Sequence, residues 1–172
     1  MIVTADIYDH YHRTVEVCDW QFRSFGQRRA FYGPCETIWS YEDHRPVLEA
    51  LKQEGRGRVL VVDAGGSLRI GVLGDRLAAI GMANGWVGVV VNGAVRDSVG
   101  LDALDIGVKA AGVTARRADI ATEGAGPRIV GFGGIRFAPG QWVYADEDCI
   151  LVSPEQLDLE QVTAPPVAAE YR

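Results

Sequence analysis

Two places in this 172-residue chain combine residue types and spacing that can do chemistry. Arg96 and Asp97 stand together directly after a strand-like run. A guanidinium binds a carboxylate or keto oxygen through a planar fork, and an aspartate in such a loop can hold a hard divalent cation. The same dipeptide can equally be a structural ion pair. Gly74, Asp75, Arg76 and Leu77 open a helical pattern, where unpaired backbone N–H groups and the helix dipole favour a carboxylate. Asp75 serving only as the N-cap would be a sufficient structural reason for its presence.

Other chemistries find little support. Lys52 sits on an amphipathic helix and Lys109 in a strand pattern, so a Schiff base has few candidates. His10, His12 and His44 lack HExxH or other ligand spacing and read as surface residues. No GxSxG elbow occurs. Cys18, Cys35 and Cys149 have no CxxC spacing and read as reduced thiols. Gly65, Gly66 and Gly71 follow a strand but miss the GxGxxG spacing, which disfavours a dinucleotide or methyl-donor loop. The formal net charge of -6 disfavours direct nucleic-acid binding. The pairs Arg28/Arg29 and Arg116/Arg117 are short enough to be solvated surface or to pair with nearby acids. No apolar run approaches the roughly 20 residues that span a bilayer, and Met1 to Asp9 carries no basic n-region, so a cytoplasmic location is expected.

The elements that must position these residues are legible in the middle of the chain. Arg58 to Asp63 and Trp86 to Asn92 are continuous apolar runs of the kind buried on both faces of a sheet. Asp75 to Asn84 has helical spacing between them, which predicts a right-handed βαβ unit. Both strands end in polar glycine-rich loops at one carboxyl edge, where open α/β folds bind ligands. Upstream, Thr4 can cap a helix through Tyr11, with Ile7, Tyr8 and Tyr11 toward a core. Cys35 to Tyr41 alternates as a half-buried strand, and Pro46 starts a short helix that Gly55 and Gly57 end. Downstream, a helical turn around Leu101 to Leu104 precedes a strand over Ile106 to Val113. Short strands follow at Arg128 to Val130, Gly134 to Phe137, Trp142 to Ala145 and Cys149 to Val152. One α/β domain over 1–157, with a β-rich C-terminal half and a loose tail over 158–172, is the expected organisation.

Residues 55–110 (GRGRVLVVDAGGSLRIGVLGDRLAAIGMANGWVGVVVNGAVRDSVGLDALDIGVKA) resemble the central block of a known family. That family groups the regulator of ribonuclease activity A (RraA) with divalent-metal-dependent 4-hydroxy-4-methyl-2-oxoglutarate aldolases. FRSFGQRRAFYGP at 22–34 and FAPGQWVYADEDCILVSP at 137–154 extend the resemblance over most of the chain. It implies a swivelling ββα-type domain assembled as a homotrimer. It further implies that Gly74 to Leu77 bind the carboxylate of a small 2-oxo acid, that Arg96 binds substrate and that Asp97 ligates Mg²⁺ or Mn²⁺. Asp75 would assist proton transfer. The implied reaction is retro-aldol cleavage to pyruvate, with oxaloacetate decarboxylation as a second activity. A non-catalytic regulator of ribonuclease E is the alternative, and a menaquinone-pathway methyltransferase is a rival that the broken glycine motif opposes. Aldolase members often carry an acid three positions after the metal aspartate, where this chain has Gly100. Asp102 is the candidate to compensate.

Overall fold

The computed structural model describes residues 2–162. The chain opens with helix α1 (Thr4–Tyr11), followed by strands β1 (Glu16–Val17), β2 (Arg23–Phe25) and β3 (Phe31–Trp39). Helix α2 (Arg45–Leu51) leads to β4 (Val59–Asp63), β5 (Gly71–Leu73), helix α3 (Asp75–Ala83) and β6 (Gly88–Val95). The short helix α4 (Ser98–Leu101) and β7 (Gly107–Val113) follow. The C-terminal half adds β8 (Gly126–Pro127), β9 (Val130–Phe132), β10 (Ile135–Phe137), β11 (Trp142–Ala145) and β12 (Ile150–Ser153). The expected tail over 158–172 lies, from 163 onward, outside the described residues.

One large mixed sheet dominates, in the order β1-β12-β11-β3-β4-β6-β7-β2, with β5 added to β6 and β8 to β3. Its centre is parallel: β3 pairs with β4, β4 with β6, and both β5 and β7 with β6. The expected βαβ unit is therefore present as β4-α3-β6, with β5 inserted before the helix. Both central strands are buried on both faces, as their uninterrupted apolar runs require. Leu60, Val62, Val89 and Val91 face a core beneath α2 and α3, while Val59, Val61 and Val90 face a second core under β9, β10 and β11. Each such side chain contributes about 1.5–3 kcal/mol when fully buried. A third cluster joins Ile7 of α1 to Tyr144, Leu151 and Leu157.

Phe31 locks the second core. Gly88 pairs directly with Gly107 across β6 and β7, and the Phe31 ring lies against both. A Cβ at Gly107 would stand 2.0 Å from the ring, and one at Gly88 would stand 2.3 Å from it.

Thr4 does not cap α1. Val3 holds the cap position, and the Thr4 hydroxyl and N–H both donate to the buried Asp146 carboxylate, at 2.7 and 2.6 Å. Asp146 also accepts from the N–H groups of Asp148 and Cys149. Burial pushes the Asp146 carboxyl up, but these bonds outweigh it and hold the group below the usual carboxylate range. A depressed folded value stabilises the protein above the unfolded carboxylate value of about 3.9 and ceases to do so as pH falls through the folded value. We predict that Asp146→Asn costs about 1–3 kcal/mol at neutral pH and that this difference from wild type shrinks toward pH 2. Thermal melts of both proteins across pH 2–7 check it; a constant gap would refute the assignment.

Candidate active site

Arg96 and Asp97 follow β6 without a gap, at the carboxyl edge of the parallel strands. The Arg96 N–H still belongs to the sheet, donating to Leu73 O of β5 at 2.9 Å. The chain then turns at Asp97, which adopts a left-handed conformation (φ 57°, ψ 44°) that aspartate tolerates better than most residues. This turn aims both side chains back toward β5. They meet at 3.0 Å, each partly exposed. Two glycines make room for them: a Cβ at Gly71 would be 3.1 Å from Arg96 Cβ, and one at Gly74 would be 2.8 Å from Asp97 Oδ2.

Gly74 is also the N-cap of α3, in extended conformation, and Asp75 is the first helical residue. The reading of Asp75 as N-cap is thus corrected by one position. Its Oδ1 instead accepts the N–H of Arg76 at 2.7 Å. The remaining first-turn N–H groups have no intrahelical acceptor, and their residues line the same cleft as Arg96.

A cleft of about 480 Å³ joins these groups. All six residues singled out from sequence, Gly74, Asp75, Arg76, Leu77, Arg96 and Asp97, line it. Two more line it that sequence reading assigned to the surface: His44, from the turn after β3, and Arg117, from the segment after β7. That segment is held beside β5, where Gly71 N donates to Arg116 O at 2.9 Å. Three guanidinium groups therefore face two carboxylates. In a chain of net charge -6, this edge thus carries a local excess of positive charge, the kind of field that attracts small anions. By contrast, Arg28 and Arg29 pair with acids as expected, Arg28 with Asp105 at 2.8 Å and Arg29 with Asp102 at 3.5 Å.

Residues 4–152 match the Aldolase/RraA family, described as RraA-like. The chain belongs to that family. A protein of Alkalilimnicola ehrlichii named "Putative 4-hydroxy-4-methyl-2-oxoglutarate aldolase" is 47% identical over 158 residues, spanning 91% of this chain and 97% of its own length. Two solved structures share the fold at a TM-score of 0.86. One is the S-adenosylmethionine: 2-dimethylmenaquinone methyltransferase of Geobacillus kaustophilus HTA426, 40% identical over 91% of this chain and 97% of that one. The other is the RNA-processing inhibitor RraA of Thermus thermophilis, 37% identical over 95% and 99%. One Aldolase/RraA fold thus carries three names, and the chemistry must be read from the cleft.

In this Aldolase/RraA chain the two lysines lie away from the cleft. Lys52 pairs with Glu49 on the surface, and the buried Lys109 donates to Ser24 Oγ at 2.7 Å. Burial pushes the Lys109 ammonium down and the Cys35 thiol up, the latter to about 12, so Cys35 is no nucleophile. The glycine-rich loop after β4 leads into β5 rather than into a helix, which removes the phosphate-cradling geometry of a dinucleotide site.

Two carboxylates among the residues lining the cleft could hold a cation. Among the described residues no group of three His, Cys, Asp or Glu side chains could hold a metal. The cleft supplies the carboxylates of Asp97 and Asp75, and the absence of a side chain at Gly74 lets Asp97 Oδ2 lie against the start of α3. One or two carboxylates completed by water and substrate oxygens is the usual arrangement for Mg²⁺. Asp102 does not compensate for Gly100, since its Oδ1 accepts the N–H of Gly26 at 2.9 Å, outside the cleft. Gly100 has its own constraint: a Cβ there would stand 2.5 Å from Asp75 Oδ2. An acid at position 100 and the present Asp75 rotamer are mutually exclusive.

Proposed function

We propose that this chain is a divalent-metal-dependent lyase that cleaves 4-hydroxy-4-methyl-2-oxoglutarate to two molecules of pyruvate, with oxaloacetate decarboxylation as a second activity. The observation that carries this reading is the convergence of Asp97, Arg96 and the first turn of α3 in one cationic cleft. The 47% identity to a protein named for this aldolase activity supports it.

The substrate carboxylate docks on the first-turn N–H groups of α3, and the Arg96 guanidinium faces the 2-oxo group. Asp97 would hold a Mg²⁺ or Mn²⁺ ion, which when bound would supply polarisation of that group. Asp75 takes the proton of the C4 hydroxyl, the C4–O bond becomes a carbonyl, and the C3–C4 bond breaks. Its electron pair passes to C3 of a pyruvate enolate, whose developing charge Arg96 faces. C3 then receives the proton, and two pyruvates leave. With oxaloacetate the same enolate arises by loss of CO₂, so one site serves both reactions.

The test is pyruvate release from both substrates, with Mg²⁺ or Mn²⁺ and then with chelator. Metal-dependent turnover is expected. Absence of turnover with metal present would favour the other reading, a non-catalytic protein regulator of ribonuclease E; the resemblance to the Thermus RNA-processing inhibitor supports a role of that kind.

The family resemblance further suggests a homotrimer of swivelling ββα-type domains. Val99 and Val113, 86% and 41% exposed, share a groove with Arg96 and Asp97 and are suited to contact a neighbouring copy there. Light scattering in line with gel filtration should give three times the 18.6 kDa chain mass; a monomer would reject the trimer.

A further inference from the structure

The reaction proposed above uses one side of the cleft and leaves the other unexplained. His44 and Arg117 belong to separate segments, and neither has an ion-pair partner among the described residues. His44 carries an orphan. Its Nδ1 is buried with no hydrogen-bond partner, a loss of about 1–3 kcal/mol that a folded protein rarely accepts without return. An orphaned N–H is rarer than an orphaned acceptor. The favoured tautomer therefore leaves Nδ1 bare and places the hydrogen on Nε2, so that His44, which lines the cleft, is left with one free donor.

The two residues are also held relative to each other. Asp43 is buried, with its side chain 3% exposed. Its Oδ1 accepts from the N–H and Nε of Arg45, at 3.0 and 2.8 Å, directly after His44. Its Oδ2 accepts from Thr122 N at 2.9 Å, and Thr122 Oγ1 donates to Tyr41 O at 2.5 Å. One carboxylate thus ties the turn bearing His44 to the segment bearing Arg117. These bonds outweigh the upward push of burial and hold Asp43 below the usual carboxylate range, so the tie persists at neutral pH.

We propose that His44 and Arg117 form a distal subsite that binds the second carboxylate of a dicarboxylic 2-oxo acid, with Asp43 as the residue that positions them. This rests on the proposed function, because it assumes that the first carboxylate and the 2-oxo group occupy the α3 and Arg96 side. A monocarboxylic 2-oxo acid fills only that proximal side. A dicarboxylic one also meets a donor and a guanidinium, which together offer charge-assisted hydrogen bonds.

Calorimetric titration of the Mg²⁺-loaded protein with pyruvate and with 2-oxoglutarate separates the two sides, since 2-oxoglutarate lacks the 4-hydroxyl needed for cleavage. His44→Ala and Arg117→Gln should each weaken 2-oxoglutarate about tenfold or more while changing pyruvate less than about twofold. His44→Gln, which keeps an N–H donor of similar reach, should recover most of the loss. Unchanged 2-oxoglutarate affinity in the variants, or an equal loss for both acids, would overturn the distal subsite. Failure of the wild type to bind either acid would overturn the proposed function itself. Arg117 is exposed, so Arg117→Gln keeps the test valid if His44→Ala fails to fold.

Discussion

Asp97→Asn should lower metal-dependent pyruvate release by at least about a hundredfold with little change in melting temperature. Loss of a group one shell removed from a metal already costs about 10–100-fold, and Asp97 is placed as the ligand itself. Asparagine is the informative replacement because the position is left-handed, at φ 57°. Asparagine shares the tolerance of aspartate for that region, whereas alanine would add backbone strain to the loss of charge. The substitution also removes the charge that Arg96 pairs with at 3.0 Å, so the hold of Arg96 on the 2-oxo group should persist or strengthen while turnover falls. The measurement is kcat and KM for 4-hydroxy-4-methyl-2-oxoglutarate across a Mg²⁺ titration, with a thermal melt of each protein. Retention of more than half the wild-type kcat at every Mg²⁺ concentration would show that Asp97 is no ligand.

The second large effect concerns stability. Gly107→Ala should destabilise the fold by about 2–4 kcal/mol, beyond the usual cost of overpacking, because its Cβ would stand 2.0 Å from a buried ring and 2.8 Å from Arg28 O. The ring cannot retreat easily, since Gly88 on its other side leaves no more room. At about 2–4 °C per kcal/mol for a chain of this size, the melting temperature should fall by roughly 5–15 °C. Phe31→Leu should cost stability alone through lost burial, yet restore part of it in the Gly107→Ala background. A coupling of about 0.5–3 kcal/mol in the double-mutant cycle is expected. Additive effects would mean that Phe31 is not what Gly107 accommodates.

The parts of the fold that were legible are those whose burial is local. Val59 to Asp63 and α3 declare themselves through apolar periodicity, and the structure keeps them within a residue or so. β6 begins later than its apolar run, at Gly88, because Trp86 closes the turn after α3 by donating its N–H to Gly81 O and its Nε1 to Gln53 O. It then continues to Val95, since β5 pairs with Ala94 and Val95. β5 has no counterpart in the sequence pattern: Gly71, Val72 and Leu73 are too short a run to declare an element, and they become strand where β6 extends past β4 and offers an edge at Ala94 and Val95. The short α4 at Ser98–Leu101 precedes the turn expected at Leu101 to Leu104 for a related reason, because Leu101 N finds its acceptor on Asp97 O. The site divides likewise. Arg96, Asp97 and Gly74 to Leu77 lie in one contiguous stretch whose pattern is local. His44 and Arg117 reach the cleft through tertiary hydrogen bonds around Asp43 and Gly71, which no spacing announces. The proline two residues after His44 marked a helix start, and nothing in the sequence around Arg117 distinguished it from Arg116.

The borders of the large sheet set how copies of this chain can meet. The outermost strands are β1, two residues long, and β2, three residues long. So few free ladder positions give an approaching strand almost nothing to zip onto, and charged Glu16 and Arg23 stand exposed on them. These two borders therefore favour self-association through side-chain faces that have a definite shape and a definite end over open-ended backbone pairing. Concentrated solutions of the folded chain should consequently form closed assemblies of fixed size and resist growth into fibres.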